Sequence, residues 1–339
     1  MIRMVTGMAP YGGPGSDSAR AALAALPKGD RHNHLCLCVS RRSLLARFGR
    51  APAFPAAYEG LQGMFDFIHA EVNAVMATGD DVVAFMEMAI LDSLQDNVRR
   101  LEASVDINLT RYFDGSVDRL LRAVADLKRK YGTFFPVIGV NKPTPLDVAT
   151  AKVEAFIDSG LFSGIDLYGQ EAGQELGRFK TLYRKARSHG LNLKVHIGEF
   201  SGAATVKEAV AILEPDEIQH GITAHEDAEA VDLIVKNGIM LNVCPASNLA
   251  LGAVAELRLH PVRRLFDRGV KISICPDDLL LFDATITDQY VALMEAGLFT
   301  FDEIETMRLN GLGSEYFDEP QWNDARSGIM TTAKKDESR

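Results

Sequence analysis

Residues 164–198 read GIDLYGQEAGQELGRFKTLYRKARSHGLNLKVHIG, and this stretch contains one complete strand–helix–strand pattern. The run Gly164–Tyr168 is short and largely apolar, residues 178–189 have helical periodicity and end before Gly190, and residues 193–198 form a second apolar run. Short apolar runs separated by a helical segment predict a βαβ unit with two parallel strands.

The same alternation recurs along the chain and gives eight candidate strands. Eight parallel strands with intervening helices predict a closed barrel, a fold that can reach about 250 residues or more as a single domain. The predicted fold class is therefore α/β, a (β/α)8 TIM barrel with a helical insertion after strand 1. Strands are predicted at residues 30–35, 98–107, 133–140, 164–168, 193–198, 217–220, 239–244 and 270–275, and helices at residues 116–130, 145–159, 178–189, 203–213, 228–236 and 262–268.

The spacing breaks after the first strand, where residues 40–97 separate it from the second. Because barrel enzymes carry function on loops at the C-terminal face, we predict that this insertion is a helical lid over a site. Its Phe65 could contribute an apolar wall for a flat ligand, and the alternative is that the apolar residues only pack the lid onto the barrel. The predicted organisation is a flexible N-terminal tail at 1–25, a single barrel domain at 26–325 and a C-terminal tail at 326–339.

Composition and charge exclude several classes of protein. The 339 residues include 36 Lys and Arg against 46 Asp and Glu, so the formal net charge is −10. This acidic balance disfavours a nucleic acid partner, and no apolar run reaches the roughly 18 residues of a membrane span. The four cysteines lie within apolar runs and form no evenly spaced disulfide framework, which favours a cytoplasmic location.

Ionisable side chains cluster at the C-terminal ends of the predicted strands. They are His32 and His34 on strand one, His196 on strand five, His220 at the end of strand six, and Asp277 and Asp278 after strand eight. The two-residue period of a strand would direct His32 and His34 to the same side. A closed barrel would bring the whole set together, which predicts a metal site. Imidazole and carboxylate ligands suit zinc, although iron, cobalt or nickel could use them too.

Several short segments, in chain order, carry a known pattern. They are LPK at 26–28, HNH at 32–34, GIDLYG at 164–169, VHIGE at 195–199, HG at 220–221, CPASN at 244–248 and DD at 277–278. The ordered set resembles the adenosine deaminase family of the amidohydrolase superfamily, over residues 26–317. This resemblance implies that His32, His34, His196 and Asp277 bind one Zn²⁺ per chain, which would supply hydroxide by lowering the pKa of a bound water to about 7.

The resemblance also implies roles for the residues around the metal. Glu199 would shuttle a proton to the ring nitrogen beside the attacked carbon, and His220 would orient the hydroxide and stabilise the oxyanion. A role for His220 as a further metal ligand is the alternative. Asp277 completes the catalytic set. Asp278 and the backbone N–H of Gly169 would hold ring nitrogens of a purine.

The implied function is a zinc-dependent hydrolytic deaminase of an amino-substituted purine, a nucleoside or a related heterocycle, releasing ammonia. It is a hydrolase acting on C–N bonds in cyclic amidines, with a small-molecule partner. One element departs from the family pattern. Where nucleoside deaminases carry an acidic sugar contact, and adenine-specific relatives carry Glu, this chain has Cys36, a weak donor and weaker acceptor. We therefore expect adenosine to be a poor substrate.

Two other functions fit the same barrel. A binuclear amidohydrolase that cleaves an amide or lactone would need a carboxylated lysine on strand four, whereas the candidate Lys142 ends strand three by our count. A non-catalytic ligand-binding barrel would be expected to have lost metal ligands or Glu199, which this chain keeps. Cytidine-type deaminases require Pro-Cys-x-x-Cys after His-x-Glu, and no such segment follows His69 and Glu71.

Overall fold

The protein's computed structural model describes residues 14–313, 323, 325 and 326. Its centre is one eight-stranded sheet in which the strands follow chain order and every neighbouring pair is parallel. The strands are β1 Lys28–Asp30, β2 Val98–Asp106, β3 Phe134–Asn141, β4 Gly164–Tyr168, β5 Asn192–Ile197, β6 Glu217–His220, β7 Met240–Val243 and β8 Lys271–Ile274.

The sheet closes between the segments that follow β1 and β8. Asn33 and Asp277 form a parallel bridge, in which the N–H of Asp277 donates to the carbonyl of His32 at 3.2 Å and the N–H of His34 donates to the carbonyl of Asp277 at 3.4 Å. This closure confirms the predicted (β/α)8 barrel. It also brings the two histidines of the first motif beside the aspartate that follows β8.

Fourteen α-helices surround the sheet within the described residues. None of them combines the length and apolar character that crossing a membrane requires. They are α1 Pro14–Ala25, α2 Arg41–Phe48, α3 Gly60–Phe67, α4 Gly79–Gln95, α5 Val117–Lys130, α6 Leu146–Asp158, α7 Lys180–Ser188, α8 Ala203–Leu213, α9 Ala228–Lys236, α10 Pro245–Ala250, α11 Val262–Asp267, α12 Leu279–Phe282, α13 Ile286–Glu295 and α14 Phe301–Leu312.

Helix α14 seals the seam between the first and last strands. A Cβ at Gly29 would lie 2.3 Å from the carbonyl oxygen of Gly311, so only glycine allows β1 and the helix to approach this closely. The Nε of Arg31 donates to the same carbonyl at 2.7 Å, and Nδ2 of Asn310 donates to the carbonyl of Ile272 in β8 at 2.8 Å.

A layer of buried charge fills the barrel near the N-terminal ends of several strands. Nζ of Lys194 lies 2.7 Å from Glu102 and 3.4 Å from Glu217, and Arg31 contacts the same two carboxylates at 3.1 and 2.6 Å. Lys194 is two residues before His196 on β5, so both side chains point into the barrel. We call this layer of buried charges the ionic floor, because it lies below His196 inside the barrel.

Two details differ from the sequence prediction. Strand one ends at Asp30, so His32 and His34 follow the strand and do not alternate along it; a register shift between Lys28 and Gly29 interrupts the ladder. Residues 14–25 of the predicted tail form α1 and bury Leu23, because an alanine-rich helical segment follows the Gly- and Pro-rich start. Residues 1–13 and 327–339 lie outside the described residues, and the domain limits and the lid role of residues 40–97 stay predictions.

Candidate metal and active site

Four of the predicted side chains converge above the ionic floor. Nε2 of His196 lies 2.9 Å from Nε2 of His32 and 3.1 Å from Nε2 of His34. Oδ1 of Asp277 lies 3.1 Å from Nε2 of His32 and 3.2 Å from Nε2 of His34. These are the four ligands implied by the family resemblance. His220 also belongs to this cluster, since one ligand atom each from His32, His196, His220 and Asp277 lies within 4.8 Å of the others.

The donor set fits a zinc ion. Zinc–ligand bonds of 2.0–2.1 Å imply a spacing of about 3.3 Å between donors of a tetrahedral site, close to the observed separations. Nε2 of His196 and Nε2 of His32 lie 2.9 Å apart, and a cation between two unprotonated imidazole nitrogens would satisfy both lone pairs. The set contains nitrogen and oxygen donors and no thiolate, as in catalytic zinc sites.

A second layer of contacts orients His196 and holds its tautomer. Its Nδ1 lies 3.0 Å from Oδ1 of Asp166, whose other oxygen accepts the hydroxyl of Ser104 at 3.0 Å. Burial would raise the pKa of Asp166, but the neighbouring imidazoles, His196 foremost, outweigh it and keep the pKa below its usual value. A carboxylate on Nδ1 places the proton there and leaves Nε2 free for a metal.

Two residues of the cluster have a strained backbone. His220 ends β6 and Asp277 follows β8, and each has φ of 63°. Non-glycine residues in this left-handed region cost about 1–2 kcal/mol, and the strain is retained where the surrounding structure fixes it. In both cases the turn comes where the strand ends, at the C-terminal face on which barrel enzymes carry their active sites.

Glu199 lies beside this cluster, just after β5. Its Oε2 is 3.5 Å from Nε2 of His220, and its Oε1 accepts Nδ2 of Asn248 at 2.7 Å. Burial raises the pKa of the Glu199 carboxyl well above its usual range, and the charges of Asp277 and Glu171 act in the same direction. A carboxyl group with a raised pKa can donate a proton near neutral pH, as a general acid must.

Glu171 fixes the backbone that carries Glu199. Its carboxylate accepts the N–H groups of Gly198 and Glu199 at 3.0 Å each and of Ser201 at 2.9 Å, as well as the Ser201 hydroxyl. Sequence reasoning missed this role, because nothing in the spacing shows that a residue after β4 would bind a loop after β5.

Lys142 is the lysine that the binuclear alternative would require. It follows β3 and its Nζ donates to the carbonyl of His196 at 2.8 Å and of Gly169 at 3.3 Å. Burial lowers its pKa to about 8, although the charges of Glu171 and Asp166 oppose the shift. Because this amine holds backbone carbonyls at the ends of β4 and β5, the geometry favours the mononuclear centre.

Asp278 and Gly169 are the residues predicted to hold a purine ring. Asp278 is buried, and its Oδ1 has no hydrogen-bond partner among the residues the structure describes. Burial raises the pKa of Asp278 to about 8, and Asp277 adds to the rise while His34 opposes it. Gly169 has φ of 90°, and a Cβ there would lie 2.3 Å from Oδ1 of Asn141, so glycine is required at this turn.

Cys36 and Phe65 are two further residues predicted to line the pocket. Cys36 is buried, and burial together with the nearby charge of Asp106 raises the pKa of its thiol to about 12. It therefore stays neutral. Phe65 lies half-buried on α3 and packs against the apolar core, and its contact with substrate stays a prediction.

A (β/α)8 barrel with this cluster at its C-terminal face defines a metal-dependent hydrolase of the amidohydrolase class. The family model described as adenosine deaminase matches residues 55–332. A protein of Treponema pallidum (strain Nichols), whose name proposes an adenosine/adenine deaminase, is 34% identical over 278 residues, which are 81% of this chain and 93% of that protein. The chain belongs to the adenosine deaminase family.

Solved structures show the same fold. The adenine deaminase from Arthrobacter aurescens matches with a TM-score of 0.75 and 23% identity, covering 91% of this chain and 100% of that one. An amidohydrolase from Burkhoderia ambifaria with bound Zn matches with a TM-score of 0.72 and 21% identity, covering 97% of this chain and 100% of that one. As a member of the family, the chain is a zinc-dependent hydrolytic deaminase of aminopurines.

Proposed function

We propose that His32, His34, His196 and Asp277 hold the zinc ion and that Glu199 and His220 carry out the proton transfer and charge stabilisation of the deamination. The observation that supports this most is that Nε2 of His196 and Oδ1 of Asp277 each lie 2.9–3.2 Å from Nε2 of both His32 and His34. Asp277 has a second function, because its Oδ2 lies 3.8 Å from Nε2 of His220 and so links the ligands to the catalytic pair.

Each catalytic step is assigned to a group with suitable geometry. When bound, zinc supplies hydroxide at neutral pH by lowering the pKa of water. Glu199 donates a proton to the ring nitrogen next to the amino-bearing carbon, takes up one proton of the attacking water and delivers it to the departing amino group. The proton left on the added hydroxyl then returns to Glu199, which forms the carbonyl of the product and restores the carboxyl group. His220 stabilises the negative charge that develops on oxygen. The balanced reaction consumes one water and releases one ammonia, with the amino group replaced by oxygen.

The proposed substrate is an aminated purine in which the free base is preferred over the ribonucleoside. Asp278 and the Gly169 N–H would hold the ring, while the neutral thiol of Cys36 replaces the acidic sugar contact. A site that lacks its acceptor for a substrate hydroxyl gives up the selectivity that such a bond provides. The relative from Treponema pallidum is named for both adenosine and adenine, and the Arthrobacter aurescens structure is of an adenine deaminase.

The proposed location is the cytoplasm, and the free, buried cysteines support it. Cys36, Cys38, Cys244 and Cys275 are all unpaired and all lie within the core. Buried thiols with no disulfide are what a reducing compartment maintains.

A screen for ammonia release tests the proposal. Zinc-loaded protein is incubated with adenine, adenosine, AMP, N6-methylated adenine compounds and aminopterins, and the released amine is measured, which is methylamine for the N6-methylated compounds and ammonia for the others. We expect release from at least one aminopurine, with adenine ahead of adenosine. Ammonia from none of the purines, together with hydrolysis of an amide or lactone, would instead support the alternative amidohydrolase.

A further inference from the structure

We propose that Asn248 and His260 are positioning residues that set the hydrogen-bonding direction of His220 and the orientation of Glu199. This inference rests on the proposed function, because it concerns the same two catalytic groups. The four side chains form one continuous chain of hydrogen bonds, and all of them are buried. The donor and acceptor of each of these hydrogen bonds follow from a single backbone N–H group, which can only donate.

That amide belongs to Val262, the first residue of α11. Its N–H donates to Nδ1 of His260 at 3.1 Å. A neutral imidazole has one donor and one acceptor nitrogen, so the ring proton of His260 lies on Nε2. Nε2 lies 3.2 Å from Oδ1 of Asn248 and donates to it. Burial and the neighbouring His225 keep the ring neutral, since they lower the pKa of His260 to about 3.

Asn248 connects His260 to the two catalytic side chains through its amide group. With Oδ1 engaged by His260, the amide must direct Nδ2 to the other side, where Oε1 of Glu199 lies at 2.7 Å and Nδ1 of His220 at 3.2 Å. The Nδ2 group has two hydrogens and meets two acceptors. Both hydrogens of the Asn248 amide are thus used, and the flipped orientation would place its NH₂ group against the protonated Nε2 of His260.

The consequence is a defined tautomer of His220. Because its Nδ1 accepts from Asn248, the proton of the neutral ring lies on Nε2, which faces Oε2 of Glu199 at 3.5 Å and Oδ2 of Asp277 at 3.8 Å. A protonated nitrogen can donate to an oxyanion and cannot ligate a metal. His196 has the opposite tautomer. Its Nδ1 faces the Asp166 carboxylate and carries the proton, so its Nε2 is unprotonated and can bind a metal. These hydrogen bonds therefore favour His34 over His220 as the third imidazole ligand.

The direct test is the ¹⁵N spectrum of histidine-labelled, zinc-loaded protein. The signals of His220 are identified by their loss in His220→Asn. We expect its Nδ1 to appear as an unprotonated nitrogen and its Nε2 as a protonated one. A protonated Nδ1, or a metal-bound Nε2, would overturn the inference. This result does not depend on turnover, so an inactive protein with the expected tautomer would contradict the proposed function and leave the positioning chain standing.

Two variants and one control extend the test to function. Asn248→Asp replaces the donor amide by an acceptor, and we expect the protonated nitrogen of His220 to change to Nδ1 and kcat to fall roughly 10- to 100-fold. KM and the single equivalent of zinc should change little. His260→Gln keeps a donor for Asn248 and should lose less kcat than His260→Leu. The control is His189→Gln, at an exposed histidine after α7, which should keep the kcat of the parent. Parent-like kcat in both Asn248→Asp and His260→Leu would contradict the proposal.

Discussion

The carboxylate of Glu171 accepts the backbone N–H of Glu199 at 3.0 Å, so one buried glutamate fixes the main chain of another. Glu171 follows β4 and Glu199 follows β5, and the contact ties two neighbouring loops of the barrel together. The other oxygen of Glu171 accepts the N–H of Gly198 and of Ser201. Three parallel restraints on one short loop leave the direction of the Glu199 side chain little freedom, which is the preorganisation that catalysis requires.

Glu171→Gln is predicted to lower kcat by roughly 10-fold or more, because an amide provides only one acceptor oxygen where the carboxylate uses two, and its NH₂ group would face backbone N–H donors. Zinc content should stay at one equivalent, because Glu171 contacts no ligand of the proposed site. Steady-state kinetics and metal analysis check both points. Glu175→Gln, an exposed glutamate nearby, is the control, and equal kcat in the two variants would show that the contact is not catalytically important.

His196→Ala is predicted to remove most of the bound zinc. The substitution deletes a donor that lies within 3.1 Å of two other proposed ligands, and it leaves the Asp166 carboxylate buried without its imidazole. Metal content per chain after exhaustive dialysis is the measurement. His189→Ala, at an exposed position after α7, should retain one equivalent. A His196→Ala protein with a full equivalent would show that the ligands lie elsewhere.

Glu199→Gln is predicted to reduce turnover at least ~10²-fold, the lower end of general acid–base contributions. The amide keeps the size of the side chain and can still contact Asn248, but it cannot shuttle a proton. Zinc content should remain that of the parent, since Glu199 is proposed to lie outside the metal shell. Loss of the metal in this variant, or turnover near that of the parent, would be incompatible with the role assigned to Glu199.

Cys36→Asp is predicted to increase kcat/KM for adenosine relative to adenine by about 10- to 150-fold, the equivalent of one hydrogen bond to a charged acceptor at 1.5–3 kcal/mol. The parent thiol cannot supply this charge, because burial and Asp106 raise its pKa to about 12. Cys36→Ser adds no charge and should change the ratio much less. If the parent already deaminates adenosine with kcat/KM near roughly 10⁶ M⁻¹s⁻¹, another residue supplies the sugar contact.

The buried neutral ring of His260 predicts a pH dependence of stability. Burial, aided by His225, lowers its pKa in the folded protein to about 3, whereas histidine in an unfolded chain titrates near about 6.5. Between these values the unfolded chain binds more protons, so the free energy of unfolding decreases as pH falls below about 6.5. The His260→Gln variant has no imidazole at this position and therefore lacks this decrease in the free energy of unfolding. The difference in Tm between the metal-free parent and variant should shrink from about pH 7.5 to about pH 5, and a constant difference would exclude the effect.

The sequence predicts the scaffold well because its signals are local. The ends of β4, β6, α8 and α9 agree with their predicted limits, since each is bounded by residues that start or stop an element. Strand one is the exception. Its motif histidines do come together with Asp277, but through a bridge between the segments that follow β1 and β8. The two bridge partners lie more than two hundred residues apart, so a period-two pattern along strand one does not reveal them.

The site is predictable only in part. A family resemblance identifies the residues that would bind zinc and substrate, because their chemistry shows in the side chains themselves. Glu171, Asn248 and His260 act through hydrogen bonds to other protein groups, and such roles depend on where loops of different strands meet. The direction of the Asn248 amide, for example, follows from a backbone N–H at Val262 and has no signature in the sequence.

A zinc titration shows whether one zinc ion per chain supports the deamination. Metal-free protein is given increasing zinc, and ammonia release from adenine, or from the best aminopurine found by screening, is measured at each step. We expect no release without metal and a linear rise that stops at one equivalent per chain. Release that does not depend on zinc, or that reaches its maximum only at two equivalents, would contradict a mononuclear centre built from His32, His34, His196 and Asp277.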